Sequence, residues 1–214
     1  SASFDRYWNS PAAYPMALLS PGGVTQEALD ALRKSSASRA EKAGTHRFAA
    51  ELRNDDSVRR LVAGDWPMQW TTNYRFVADD PAKALGKESG MAGSQVLEAL
   101  APVFRDATGQ ITIISPYFVP GTEGAQALVK VAERGTAVRV LTNSLAANDV
   151  AMVYGGYAKT RPDLLAGGVK LWELKPLPGT GTKQSMFGSS GASLHTKALA
   201  ADNNRAFVGS YNLD

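Results

Sequence analysis

Residues 111–142 read ITIISPYFVPGTEGAQALVKVAERGTAVRVLT, and this stretch decides the fold class. Ile111-Thr112-Ile113-Ile114-Ser115 is a short apolar, β-branched run that Pro116 and then Pro120-Gly121 bring to an end, which predicts a strand. Helix formers fill residues 123–134, and Gly135 stands just past them, where a glycine closes a helix without steric cost. Residues 137–142 make a second strand-like run. Strand, helix and strand in that order form a βαβ unit, with the helix crossing over between parallel strands. The same rhythm extends outward on both sides. Residues 149–166 read as a helix stopped by Gly167-Gly168, residues 169–174 as a strand, and residues 94–104 as a helix. The prediction is an α/β domain, interrupted by a Gly/Ser/Pro-rich loop over residues 176–193 and finished by two strands in quick succession. No internal repeat of solenoid period is present.

Upstream the pattern changes. Tyr7-Trp8-Asn9-Ser10-Pro11 and Tyr14-Pro15 read as a helix end running into a loop. Residues 24–42 are helix formers with interspersed charges, Thr25 serving as cap and Gly44 as stop. A second charged helical segment is expected over residues 45–62. Residues 70–77 alternate and are rich in aromatic and β-branched side chains, which predicts a strand that Asp79-Asp80-Pro81 breaks.

Composition bounds the function without choosing it. With 214 residues, 44% of them apolar, the chain can bury a real core, and 20% charged residues of mixed sign indicate neither disorder nor a fibre. The net charge of +3 suits an anionic substrate or a membrane surface, but it is also an ordinary balance for solubility. The absence of cysteine rules out disulfides, thiolate zinc sites and cysteine nucleophiles. No stretch approaches the roughly 20 apolar residues of a membrane span, and Ser1-Ala2-Ser3-Phe4-Asp5-Arg6 lacks the basic-then-apolar pattern of a signal peptide. Membrane contact is therefore expected to be peripheral, or made by sequence outside this chain.

The chemistry concentrates in Leu194-His195-Thr196-Lys197-Ala198-Leu199-Ala200-Ala201-Asp202, then Asn203-Asn204, then Arg205-Ala206-Phe207-Val208-Gly209-Ser210-Tyr211-Asn212. Two strand-like runs around Asn-Asn predict a hairpin with a two-residue turn. Pairing Asp202 with Arg205 then sets Lys197 opposite Ser210 and His195 opposite Asn212. That register gathers an imidazole, an ammonium, a hydroxyl and a carboxamide on one face and leaves Asp202 beside the turn. Such a patch suits a phosphodiester. Lysine supplies positive charge for non-bridging oxygens, Ser and Asn add neutral hydrogen bonds, and histidine works as nucleophile or proton donor near neutrality. Gly209 would let the backbone approach the phosphate.

The spacing of these residues is similar to the HxKxxxxDxxxxxxGSxN signature of the phospholipase D superfamily, with all six specified positions matched. Further stretches resemble the bacterial, cardiolipin synthase-type branch: Phe4-Asp5-Arg6-Tyr7-Trp8-Asn9-Ser10, Asp80-Pro81-Ala82-Lys83, Ser115-Pro116-Tyr117-Phe118-Val119-Pro120-Gly121, Thr142-Asn143-Ser144-Leu145, and Gly156-Tyr157 through Arg161. The resemblance implies a phospholipase D-like lobe with a mixed β-sheet flanked by helices. Residues 1–65 would be the tail of a first lobe plus an inter-lobe helical segment, and residues 66–214 a second lobe truncated at its C-terminus. In such enzymes two motifs meet at one site. One histidine forms a phosphohistidine, the other protonates the leaving alkoxide, and neither metal nor other cofactor is required. His195, Lys197 and Asp202 carry over as catalytic residues and Gly209, Ser210 and Asn212 as phosphate-supporting ones, with the acid/base role falling to His195. A bacterial cytoplasmic or peripheral inner-membrane location is implied, with a phospholipid as substrate.

The chain departs from the family in one respect. Its other histidine, His46, has no lysine two residues on, so a missing first lobe or a second chain is expected to complete the site. Other features read as structure rather than chemistry. Asp202 reads from the hairpin as a turn residue, Trp66 and Trp70 as packing, and Arg161 and Lys159 as surface charges. His46 reads as a solvated helix residue and Gly179-Thr180-Gly181-Thr182-Lys183 as a flexible loop over the site. No basic stripe interleaved with aromatics points to nucleic acid. Two other functions compete with phospholipid phosphodiester transfer or hydrolysis: a superfamily nuclease working as a homodimer, and an incomplete lobe that binds phosphate or headgroups without turnover.

Overall fold

The computed structural model describes residues 2–19, 22–23, 25–45, 47–86, 94–148, 150–175 and 193–213. The chain divides into two units, Ser1–Ser89 and Gly90–Asp214. In the first unit the helices are α1 (Ala2–Trp8), α2 (Met16–Leu19), α3 (Gln26–Thr45), α4 (Arg47–Asn54) and α5 (Asp56–Ala63). Thr25 caps α3 as predicted, its Oγ1 accepting the Ala28 N–H at 3.2 Å. The helix then runs through Gly44, because one interior glycine costs only about 1 kcal/mol relative to alanine. The single helix expected over residues 45–62 is two, broken at Asp55. That residue adopts extended φ −71° and ψ 125°, and its carboxylate accepts the Val58 N–H at 3.0 Å as the N-cap of α5.

The strand expected over residues 70–77 does not form. These residues are irregular, with Trp70 88%, Tyr74 79% and Phe76 70% exposed. Alternation gives a segment one apolar face, but a strand also needs a ladder partner, and the first unit has no strand among its described residues. Asp79-Asp80-Pro81 does break the chain, into a 3₁₀ turn over Pro81–Leu85. Asp80 caps that turn through the Ala82 N–H (2.9 Å), which holds its carboxyl below the usual range, and it also pairs with Arg6.

The second unit is the α/β lobe. Ser94 caps α6 (Gln95–Asp106), its Oγ accepting the Leu97 N–H at 3.2 Å. There follow β1 (Gln110–Ile114), α7 (Gly121–Glu133), β2 (Ala137–Asn143), α8 (Ala151–Ala166), β3 (Lys170–Leu174), β4 (Lys197–Ala201) and β5 (Arg205–Gly209). The sheet order is β3-β2-β1-β4-β5. Strands β1, β2 and β3 are parallel, β4 is antiparallel to β1, and β5 is antiparallel to β4, so the sheet is mixed as expected.

Register explains the core. Ile111 lies beside Val138 and Ala201, and Ile113 beside Val140 and Leu199, so these six side chains share one face. With Phe118, Leu128, Val131, Tyr157, Leu164 and Val169 they form a continuous buried cluster. No described helix is long and apolar enough to cross a membrane.

Candidate active site

The C-terminal hairpin forms, but its turn has three residues, Asp202, Asn203 and Asn204. Ala201 pairs with Arg205, Leu199 with Phe207 and Lys197 with Gly209. The predicted register, with Lys197 opposite Ser210 and His195 opposite Asn212, is therefore wrong by one residue. The cause is a tertiary contact. Asp202 Oδ1 accepts the N–H groups of Gly109 (2.9 Å) and Gln110 (2.8 Å), and Oδ2 accepts that of Thr108 (3.0 Å). The Asp202 N–H in turn donates to the Gln110 carbonyl at 2.9 Å. Charge-assisted bonds to the start of β1 and the two residues ahead of it hold Asp202 out of the β4–β5 ladder, and Asp202 and Asn203 take left-handed φ of 51° and 56°. The N–H groups of Gln110, Thr108 and Gly109 hold the Asp202 carboxyl below the ordinary aspartate range.

His195 and Lys197 lie at the other end of β4. Because β4 runs antiparallel to β1, its start lies at the carboxyl end of the parallel strands, the edge where open α/β sheets bind ligands. Lys197 is 8% exposed and shares the face of Leu199 and Ala201. Burying an ammonium needs acceptors. Lys197 Nζ donates to the His195 carbonyl at 3.0 Å, lies 3.1 Å from His195 Nε2, and stands 6.0 Å from the Tyr117 ring centroid. An ammonium has only protons to offer, so in this contact His195 Nε2 can serve only as the acceptor. The imidazole itself is exposed. Among the described residues no carboxylate lies within ion-pairing distance of Lys197, so none of these cancels its charge.

Gly209 ends β5 directly across from Lys197. A Cβ there would stand 2.8 Å from Phe207 Cζ, so the Phe207 ring occupies the space a side chain would take. Ser210 follows in a bend and is exposed. The chain then returns to the loop after β1, where the Val119 N–H donates to the Leu213 carbonyl at 2.8 Å and Phe118 bridges Leu213. This return carries Asn212 to the carboxyl end of β1, where its Oδ1 is buried without a hydrogen-bond partner among the described residues. The fold thus brings His195, Lys197 and Gly209 to one edge, adds Ser210 and Asn212 on the returning segment, and leaves Asp202 at the opposite end of the strand. His46 and the loop at 179–183 lie outside the described residues.

Two features escaped the sequence reading. Arg161 is not a free surface charge: its guanidinium bonds Glu173 Oε1 (3.0 Å) and Tyr154 Oη (2.9 Å). Tyr157 Oη donates to the same Glu173 oxygen at 3.2 Å, and burial together with that carboxylate pushes the Tyr157 phenol well above its usual range. The i, i+4 spacing of Tyr157 and Arg161 on α8 was the available sign. The second feature is Asn143, a buried polar residue at the end of an apolar strand, whose carboxamide bonds the backbone of Leu194.

A five-stranded mixed sheet flanked by helices and finished by a C-terminal hairpin is consistent with a phospholipase D-like domain. The chain belongs to the family described as "Cardiolipin synthase, PLD-like domain", whose model matches residues 100–214. It is 37% identical over 221 residues to Cardiolipin synthase C of Escherichia coli (strain K12), covering 99% of this chain and 44% of that protein. It is 27% identical to an uncharacterized protein of Helicobacter pylori, over 99% of this chain and 41% of that one. Cardiolipin synthase A of Edwardsiella ictaluri matches at 25% identity over 71% of this chain and 30% of its own length. The chain therefore spans less than half the length of these relatives.

Proposed function

We propose that this chain supplies one half of a two-histidine site that transfers or hydrolyses the phosphodiester of a glycerophospholipid. The observation that carries the reading is the buried Lys197 ammonium held against His195 Nε2 at the carboxyl edge of the sheet. An incoming phosphate offers Lys197 a stronger acceptor than a neutral imidazole. Lys197 then shifts to the non-bridging oxygens and frees Nε2 for proton transfer. In the complete site a second histidine attacks phosphorus, forming a P–N bond as the P–O bond to the leaving alkoxide breaks. Nε2, once released by Lys197, takes up a proton from solvent, and His195 gives that proton to the alkoxide. It then takes a proton from the water or alcohol whose oxygen displaces the phosphohistidine, which breaks the P–N bond, frees the nucleophilic imidazole and leaves His195 protonated for the next turnover. Ser210 and Asn212 add hydrogen bonds to the phosphate.

The second histidine comes from a preceding lobe or from another chain. Residues 1–65 belong with that preceding lobe and the segment joining it, and the second lobe begins near residue 66. The substrate is presented at a membrane surface to which the protein binds peripherally. The names of the cardiolipin synthase relatives support a phospholipid over a nucleic acid substrate.

The test assays the protein together with its complementary half on vesicles of an anionic glycerophospholipid, following new phosphodiester products by mass spectrometry. His195→Ala is expected to lower turnover by about 1,000-fold, within the range for loss of a general acid–base group. Unchanged turnover in that variant would overturn the proposal.

A further inference from the structure

Asn143 is 1% exposed, and its carboxamide bonds both backbone groups of Leu194. Oδ1 accepts the Leu194 N–H at 2.9 Å, and Nδ2 donates to the Leu194 carbonyl at 3.1 Å. Nδ2 also lies 3.3 Å from Ser193 Oγ and 3.4 Å from the Pro116 carbonyl. A side chain that offers one acceptor and one donor to the N–H and C=O of one residue does the work of an adjacent strand.

The topology shows why a substitute is needed at this point. β1 lies between β2 and β4, and its pairing with β4 stops at Ile114 and Ala198. The β4–β5 ladder stops at Lys197 and Gly209. Leu194 and His195 therefore lie beyond both ladders, at the place where the proposed chemistry demands the most precise geometry. Asn143 reaches past the end of β1 to hold Leu194, and Lys197 Nζ holds the His195 carbonyl.

We infer that Asn143 is the positioning residue for His195. By fixing the Leu194 backbone it sets the direction in which the imidazole meets Lys197 and the substrate. The inference rests on the reading of His195 as a reacting imidazole. A merely structural amide would register in stability alone, whereas a positioning one registers in the state of the ring.

The chain has two histidines, so ¹⁵N spectra of its imidazole nitrogens resolve His195, with His46 as the internal reference. In the unaltered chain the Lys197 contact at Nε2 selects one tautomer, and the two ring nitrogens of His195 give widely separated signals. In Asn143→Ala these signals are expected to move toward a common averaged value, with those of His46 unmoved. Asn143→Asp, which keeps the acceptor but sets an oxygen against the Leu194 carbonyl, shifts them in the same direction. Should position 143 tolerate no replacement, Leu194→Pro removes the N–H from the other side of the pair and must give the same change. In the protein with its complementary half, Asn143→Asp lowers kcat about 10- to 100-fold with KM held within about twofold, the expected cost of a misplaced catalytic group. Unchanged His195 signals in a folded Asn143 variant, or in Leu194→Pro, would overturn the positioning role. Unchanged turnover in His195→Ala would instead overturn the functional reading and leave the spectroscopic result intact.

Discussion

The two ends of β4 carry residues of one sequence motif in opposite physical conditions. At the turn end the Asp202 carboxylate is surrounded by donors, accepting from Thr108, Gly109 and Gln110, so it has little left to offer a ligand. At the other end, polar groups are gathered without being exhausted. Lys197 has no carboxylate partner among the described residues, His195 is exposed, and the Asn212 oxygen is buried with none of them bonded to it. A saturated polar cluster stabilises, while an unsaturated one is ready to bind. On the proposed function, one end of the strand serves stability and the other chemistry.

The sharpest way to break this comparison is His195→Ala, expected to lower turnover about 1,000-fold, or about 4 kcal/mol in barrier, with the melting midpoint little changed. Leu164→Ala should do the reverse. Leu164 is fully buried in the cluster, and its truncation should cost about 2–5 kcal/mol of unfolding free energy in denaturant titration while turnover per folded molecule is kept. Asp202→Asn sharpens the turn end. The folded pKa of Asp202 is depressed, so its contribution to stability is present above the unfolded value near 3.9. It is lost as pH falls from there through the lower folded value. Stability of the unaltered chain should fall across that acid window, and Asp202→Asn should be less stable above it and show a shallower fall within it. The smallest expected effect lies outside the lobe. Asp55→Ala removes the cap of α5 and should cost about 1 kcal/mol, read as reduced helicity of the first unit with the site unaffected.

Much of the lobe was legible because its signals are local. Alternating apolar runs, Gly135 and Gly167-Gly168 at helix ends, and Ser94 at a helix start each act within a few residues. What failed depended on contacts far along the chain. The hairpin register is set by Asp202 bonding residues more than ninety positions earlier, and nothing near Asn203-Asn204 announces that. Residues 70–77 have strand composition, but pairing decides whether a strand exists. Arg161 looked like a surface charge because its partner Glu173 lies on another element. The site residues were named by motif spacing rather than by the predicted geometry. His195 and Lys197 come together through the bond from Lys197 Nζ to the His195 carbonyl, and Ser210 and Asn212 arrive on a returning segment, not on an extended ladder.

The most direct measurement compares two variants of the protein assembled with its complementary half, His195→Ala and Asp202→Asn, assayed for phosphodiester turnover well below both melting midpoints. The account predicts a loss of about 1,000-fold in the first and turnover within a few-fold of the unaltered protein in the second. Equal losses in two folded variants would contradict it, because Asp202 would then belong to the chemistry and the two ends of β4 would not divide as described.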